Sequence, residues 1–198
     1  MKCRMLAVLF LLIPLALWTH AEGRIKLDGS TPYDKIIELD PKDVDPSGLS
    51  LTSVQSLHST GSPQNVELAA WRLIVSGPGA KTPLSLSYED LGRMTSMKKR
   101  VILICPGFFY DYLEWEGVPL SALLEKAGAA EFGEVNFTSV DGYNASFKKD
   151  EVRTHLILVA TKGNGEPLPR EHGFPARIVA EDIFGGRWVK YLTKIEIK

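Results

Sequence analysis

The sequence predicts an α+β domain, strand-rich and mixed, with short helices set between more numerous strands. Three observations lead there. Apolar runs such as VILIC and HLILVAT have strand length and end at Gly or Pro. Helical spacing of apolar residues appears only in two brief stretches, SYEDLGRM and PLSALLEKAG. Strands and helices do not alternate regularly, as a doubly wound sheet requires.

The elements follow in order. VELAAWRLIVSG, from Val66, reads as a strand closed by Gly77-Pro78-Gly79. Ser87 offers an N-cap hydroxyl with Asp90 three residues on, so SYEDLGRM reads as a short helix. KKRVILICPG is a buried strand that Pro106-Gly107 ends, and FFYDYLEWEGV reads as a loop. Pro119 suits a first helical position, Leu120, Leu123, Leu124 and Ala127 share a face, and Gly128 stops that helix. EVNFTSV, HLILVAT, ARIVA and WVKYLTKIEIK are the remaining strands, with turns at Asp141-Gly142-Tyr143 and Gly163-Asn164-Gly165.

The N-terminus has the layout of a secretory signal. Lys2 and Arg4 precede the apolar run Leu6 to Trp18, and Thr19-His20-Ala21 forms a cleavage site. The run is shorter than the ~20 residues that span a bilayer. The expected division is therefore a signal peptide at 1–21, an irregular N-terminal arm at 22–65 and a folded domain at 66–198. The arm is rich in Asp, Pro, Ser and Gly and has weak hydrophobic periodicity. The finished protein is expected to be periplasmic or secreted, with no stable membrane insertion after cleavage. The signal removes two bases and no acid, so the net charge moves from -1 to -3. That excludes an electrostatic footprint for nucleic acid.

Removal of the signal also removes Cys3 and leaves Cys105 as a lone cysteine. An exported protein usually pairs its cysteines or avoids them, so Cys105 is either a buried spectator or a thiol kept for chemistry. There is no CxxC, no paired zinc-ligand spacing and no GxSxG elbow. His58, His155 and His172 could partner a nucleophilic thiol, but nothing in the sequence selects one. Arg177 and Lys190 are cations in apolar stretches. Such residues are paired, bind an anion, or snorkel from a surface strand.

These pieces occur together in one pattern. A strand ends in a cysteine, and Trp115-Glu116-Gly117-Val118-Pro119-Leu120 follows, running to Gly128. Then come V-x-F-x-S-x-D-G-Y at Val135 to Tyr143, N-G-x-P-L-P at Asn164 to Pro169, H-G-x-P-x-R at His172 to Arg177, and G-x-x-x-V-K ending at Lys190. From about Val66 to Lys198 the chain resembles the oxidoreductase molybdopterin-binding domain, the fold of sulfite oxidase and of the periplasmic protein-methionine-sulfoxide reductase catalytic subunit.

The resemblance implies a molybdenum-molybdopterin cofactor with the Cys105 thiolate as catalytic metal ligand. It implies Arg177 at the cofactor phosphate, Lys190 near the pterin, and Trp188 and Val189 on the same cofactor segment. Ser139 and His172 complete the implied cofactor-binding set. Two departures stand out. His172 occupies a position where well-studied members have asparagine, and no asparagine motif appears between residues 22 and 65. The implied activity is two-electron oxygen-atom transfer on a small-molecule substrate. With no haem-attachment motif in the chain, electrons would pass to or from a separate electron-transfer protein. The alternatives are a non-catalytic binding module on the same fold and, third, a thiol sensor using Cys105 alone.

Overall fold

The computed structural model describes residues 23–198; the export signal read from the sequence lies outside the described residues. The described chain runs β1 (Ile25–Asp28), α1 (Tyr33–Ile36), β2 (Val44–Gly48), β3 (Leu73–Ser76), β4 (Leu84–Leu86), α2 (Tyr88–Met94), β5 (Met97–Cys105) and β6 (Phe109–Pro119). It continues through α3 (Leu120–Lys126), β7 (Glu134–Ser139), β8 (Asn144–Lys148), α4 (Lys149–Thr154), β9 (Ile157–Gly163), β10 (Glu166–Pro167), β11 (Arg177–Ala180) and β12 (Leu192–Ile197). This is the strand-rich α+β domain that the sequence predicts. Among the described residues no helix is long and apolar enough to cross a membrane.

Two five-stranded sheets enclose the main core. One is antiparallel, in the order β10-β9-β6-β5, with β11 also on β9. The other runs β4-β3-β12-β7-β8 and is antiparallel except for the β12–β3 pair. Trp71, Leu73, Leu113, Trp115, Phe137, Ile178 and Ile195 meet between them.

The apolar run of β5 explains what lies outside that core. Successive strand residues face opposite ways. Val101 and Leu103 enter the main core, whereas Ile102 and Ile104 join a second cluster with Leu27, Ile36, Val44 and Tyr112. The N-terminal segment therefore covers the outer face of the β5–β6 hairpin. It carries its own two-stranded parallel sheet, β1–β2. The sequence read these residues as irregular because their apolar positions are widely spaced and separated by Pro, Gly and Asp.

The main correction concerns FFYDYLEWEGV, read as a loop and found as β6, the longest strand. It pairs in register with β5 from Met97↔Gly117 to Cys105↔Phe109. Phe109, Leu113 and Trp115 are buried in the main core. Asp111 stands at the same parity, and this acid among apolar residues hid the alternation. The hairpin turns at Gly107, whose φ of 74° suits a residue without Cβ.

Smaller differences have local causes. β3 is confined to Leu73–Ser76, because residues 67–71 form a turn with Trp71 N–H donating to Glu67 O at 2.9 Å. β12 begins only at Leu192, because the backbone at Tyr191 is left-handed, with φ 51°. The N-terminus of α2 is capped as expected. Ser87 Oγ accepts from Asp90 N–H at 3.1 Å, and Asp90 accepts from Ser87 N–H at 2.9 Å.

Candidate cofactor site

Cys105 closes β5 on the parity of Val101 and Leu103, so its half-buried thiol faces the main-core side. Burial pushes the thiol pKa up; Arg177 and Lys190 oppose that rise, and Asp111 adds to it. The turn at Gly185 packs directly on the sulfur: a Cβ on Gly185 would lie 2.8 Å from Cys105 Sγ. Only glycine leaves the thiol this space.

The thiol opens into a cavity of ≈ 330 Å³, within the range of small-molecule sites (~300–1,000 Å³). Of the residues singled out in the sequence, Cys105, Ser139, Trp188 and Lys190 line it, together with Asp141 and Tyr191. Arg177, His172 and Val189 are not on the wall. Arg177 and His172 are packed close behind it. Gly173 makes that packing possible, since a Cβ there would lie 3.0 Å from Lys190 Cβ and 3.2 Å from Arg177 Cβ. Val189 is fully buried, and its carbonyl accepts from Ile178 N–H at 2.8 Å. Trp188 likewise spends its main-chain N–H on Gly185 O at 2.9 Å and its indole N–H on Ile183 O at 3.0 Å. It presents a ring to the cavity, not a donor.

Arg177 is a buried cation with little company. Its Nη1 donates to His172 O at 3.2 Å, and its Nε has no partner among the described residues. The guanidinium carbon lies 5.2 Å from the Trp115 ring centre and 5.8 Å from that of Trp188, within cation–π range. Burial lowers its pKa to about 10, with Asp111 opposing, so it remains charged at neutral pH. His172 is shifted down by burial and by Arg177 and Lys190, so its imidazole is neutral at pH 7. Lys190 donates to Ser59 Oγ at 2.9 Å, Thr60 O at 2.7 Å and Glu171 O at 3.1 Å. It fastens the 59–60 segment over the site, and Thr60, Gly61 and Ser62 complete the cavity wall.

Sequence reasoning missed Asp111 and left His58 unselected. Asp111 is fully buried; it accepts from His58 main-chain N–H at 3.0 Å and meets His58 Nδ1 at 3.0 Å. Burial raises the Asp111 pKa, and the contacts with His58 offset part of that. The His58 ring stacks on Phe109 at 5.0 Å and 15°. The one available signal was an acid at an inward position of an aromatic strand. Tyr191 was missed because a regular strand would have turned it away from the pocket that Lys190 lines.

Residues 59–198 match the family profile described as oxidoreductase molybdopterin binding domain, which is well over half of the chain. The chain belongs to this family.

The uncharacterized oxidoreductase YuiH of Bacillus subtilis is similar, 31% identical over 147 residues, covering 73% of this chain and 74% of that protein. The protein-methionine-sulfoxide reductase catalytic subunit MsrP of Xanthomonas campestris is 27% identical over 192 residues, covering 88% of this chain but 55% of its own length. The mitochondrial sulfite oxidase of Macaca fascicularis is 30% identical over 165 residues, which is 68% of this chain and 30% of the oxidase. The chain thus spans about half of the reductase subunit and under a third of the oxidase. Among solved structures, the sulfane dehydrogenase SoxCD from Paracoccus pantotrophus superimposes with a TM-score of 0.69 at 23% identity, covering 81% of this chain and 46% of that one. That likeness supports the fold.

The cavity suits the family's molybdopterin. Among the described residues, Ser139 Oγ, Arg177 Nε and Tyr191 OH are buried without hydrogen-bond partners. Buried polar groups are nearly always paired, so two orphans on one cavity wall, Ser139 and Tyr191, with Arg177 behind it, point to donors kept for a ligand. Among the described residues no three His, Cys, Asp or Glu side chains gather as a metal site. The protein offers a metal one soft thiolate here, and further ligands would come with a cofactor.

Proposed function

We propose that this chain holds molybdenum-molybdopterin with Cys105 as the protein ligand to the metal, and catalyses oxygen-atom transfer to or from a small-molecule substrate. The observation that carries the reading is the set of orphaned donors around the thiol: Ser139 Oγ and Tyr191 OH on the cavity wall, and Arg177 Nε behind it, near enough to act on the thiol's charge. When bound, the cofactor supplies a redox centre that exchanges two electrons, which side chains alone do not provide.

The chain's own residues position and neutralise. Arg177, held against the rings of Trp115 and Trp188, would supply positive charge to the cofactor's phosphate. Its burial strengthens that charge towards an anion, because no water screens it. Neutral His172 holds the arginine through its main-chain carbonyl and adds no competing charge. Gly185 keeps space at the sulfur, and Lys190 holds the 59–60 segment as a lid edge. Substrate oxidation of this class takes its oxygen from water and releases two protons and two electrons. A separate electron-transfer protein accepts those electrons, or donates them in the reverse direction. Export to the periplasm or beyond belongs to the same reading and rests on the N-terminal 21 residues.

A non-catalytic binding module is the second reading. Lys190 favours it, because its three ammonium donors are already satisfied within the protein. Protein purified from a host that makes the cofactor separates the two readings. Molybdenum near one per chain and a fluorescent pterin released on oxidation support the first. Folded, monodisperse protein without either establishes the second.

Within the first reading the two cations are expected to differ. Arg177→Ala removes a forked, buried donor and should lower molybdenum occupancy about tenfold or more, as loss of a hydrogen bond to a charged group implies. Lys190→Ala should lower it less and should loosen residues 59–62, read as faster hydrogen exchange there. Arg177→Lys should restore only part of the occupancy, since an ammonium lacks the planar fork. Full occupancy in Arg177→Ala would make Arg177 a structural residue.

A further inference from the structure

We propose that the Tyr191 hydroxyl is a ligand donor that binds the phosphate-bearing end of the cofactor beside Arg177; this rests on the molybdopterin reading. Tyr191 is 1% exposed, and its hydroxyl has no hydrogen-bond partner among the described residues. The Gln64 main-chain N–H approaches that oxygen closely enough to lower the phenol pKa but makes no hydrogen bond of ordinary geometry, and as a donor it would leave the phenol proton free. A buried phenol usually finds a partner. Here it lines the cavity instead.

The backbone makes this placement deliberate. Adjacent residues of a strand point to opposite faces, yet Lys190 and Tyr191 both line the same cavity. The left-handed conformation at Tyr191, φ 51°, produces this. That conformation is costly for a bulky aromatic residue and persists only where the surroundings enforce it. They do: Tyr191 O accepts from Val140 N–H at 3.0 Å, and the next residue's N–H donates to Ala176 O at 2.9 Å. Strain held in this way concentrates at binding sites.

The location selects the anionic end of the ligand. The Lys190 ammonium stands 5.5 Å from the centre of the Tyr191 ring. Tyr191 is close enough to Arg177 to act on its protonation. Burial raises the phenol pKa, so the group is protonated and can donate. Because Lys190 has spent its protons on Ser59, Thr60 and Glu171, the buried donors left without partners among the described residues here are Arg177 Nε, Tyr191 OH and Ser139 Oγ.

Tyr191→Phe removes only the hydroxyl. Three measurements test the proposal: molybdenum and pterin content after purification, the rate of cofactor release on dilution, and the melting temperature of apo protein with and without inorganic phosphate. The variant is expected to lose cofactor about tenfold faster than wild type, in line with one hydrogen bond to a charged group. Its apo form should melt no lower than wild type, because an unsatisfied buried hydroxyl has gone. Phosphate should raise the melting point of wild-type apo protein and raise that of Tyr191→Phe less. Release at the wild-type rate, or a lower apo melting point with unchanged release, overturns the proposal. If wild type carries no molybdenum, the cofactor reading fails, and the phosphate comparison still decides Tyr191: a smaller shift in the variant supports an anion donor, and equal shifts overturn it.

Discussion

Replacing Cys105 with serine is expected to empty the site of molybdenum and abolish turnover while the fold persists. A hydroxyl is a harder donor than a thiol and far less acidic, so it holds a soft, redox-active metal poorly. Losing even an outer partner of a metal ligand costs about 10–100-fold in affinity or activity. Losing the ligand itself should exceed the upper end of that range. The stability change should stay near ~1 kcal/mol. Serine is slightly smaller, the site is only half buried, and Gly185 presses on the sulfur without needing it. Metal analysis beside a thermal melt distinguishes the outcomes. A variant with full molybdenum and a lowered melting point would make Cys105 a packing residue.

The largest effect on stability is expected from Gly117→Ala. Gly117 lies where the pairing of β6 with β9 shifts register, and it also pairs with Met97 of β5. A Cβ there would collide with the Val159 carbonyl and lie 2.7 Å from Ala160 Cα. Both are backbone atoms in the middle of a sheet, so neither can swing aside. Overpacking of this kind costs typically ~1–3 kcal/mol, and rigid neighbours put this site at the upper end. For a chain of this size about 3 kcal/mol corresponds to a fall in Tm of roughly 6–12 °C. A melt of the variant within 2 °C of wild type would show that β6 and β9 part without cost.

Much of the fold was legible because its strongest signals are local. The strand ending at Cys105 is a dense apolar run stopped by Pro106-Gly107, and the Ser87–Asp90 capping box marks its helix without help from the rest of the chain. The two missed features of the site are those where a residue breaks the local rule. Asp111 sits on the buried face of an aromatic strand, so an acid masked the alternation that would have identified β6. Tyr191 reaches the cavity through a left-handed residue, and no side-chain pattern encodes that. The contribution of residues 59–62 was hidden for another reason. Lys190 joins Ser59 and Thr60 to the site across more than a hundred residues of sequence. Such contacts leave no periodic trace.

The two-sided burial of β5 has a bearing on where the folding unit begins. The family match starts at residue 59. A protein cut there would leave Ile102, Ile104 and Tyr112 without Leu27, Ile36 and Val44 to cover them. Each isoleucine re-exposed forfeits roughly 1.5–3 kcal/mol. The bared residues would form an apolar stripe on the sheet that carries Cys105, the kind of surface through which truncated domains stick to one another. The hereditary unit and the physical unit therefore differ: the first is a recognisable stretch of sequence, and the second includes the less recognisable segment that keeps it apart from its neighbours.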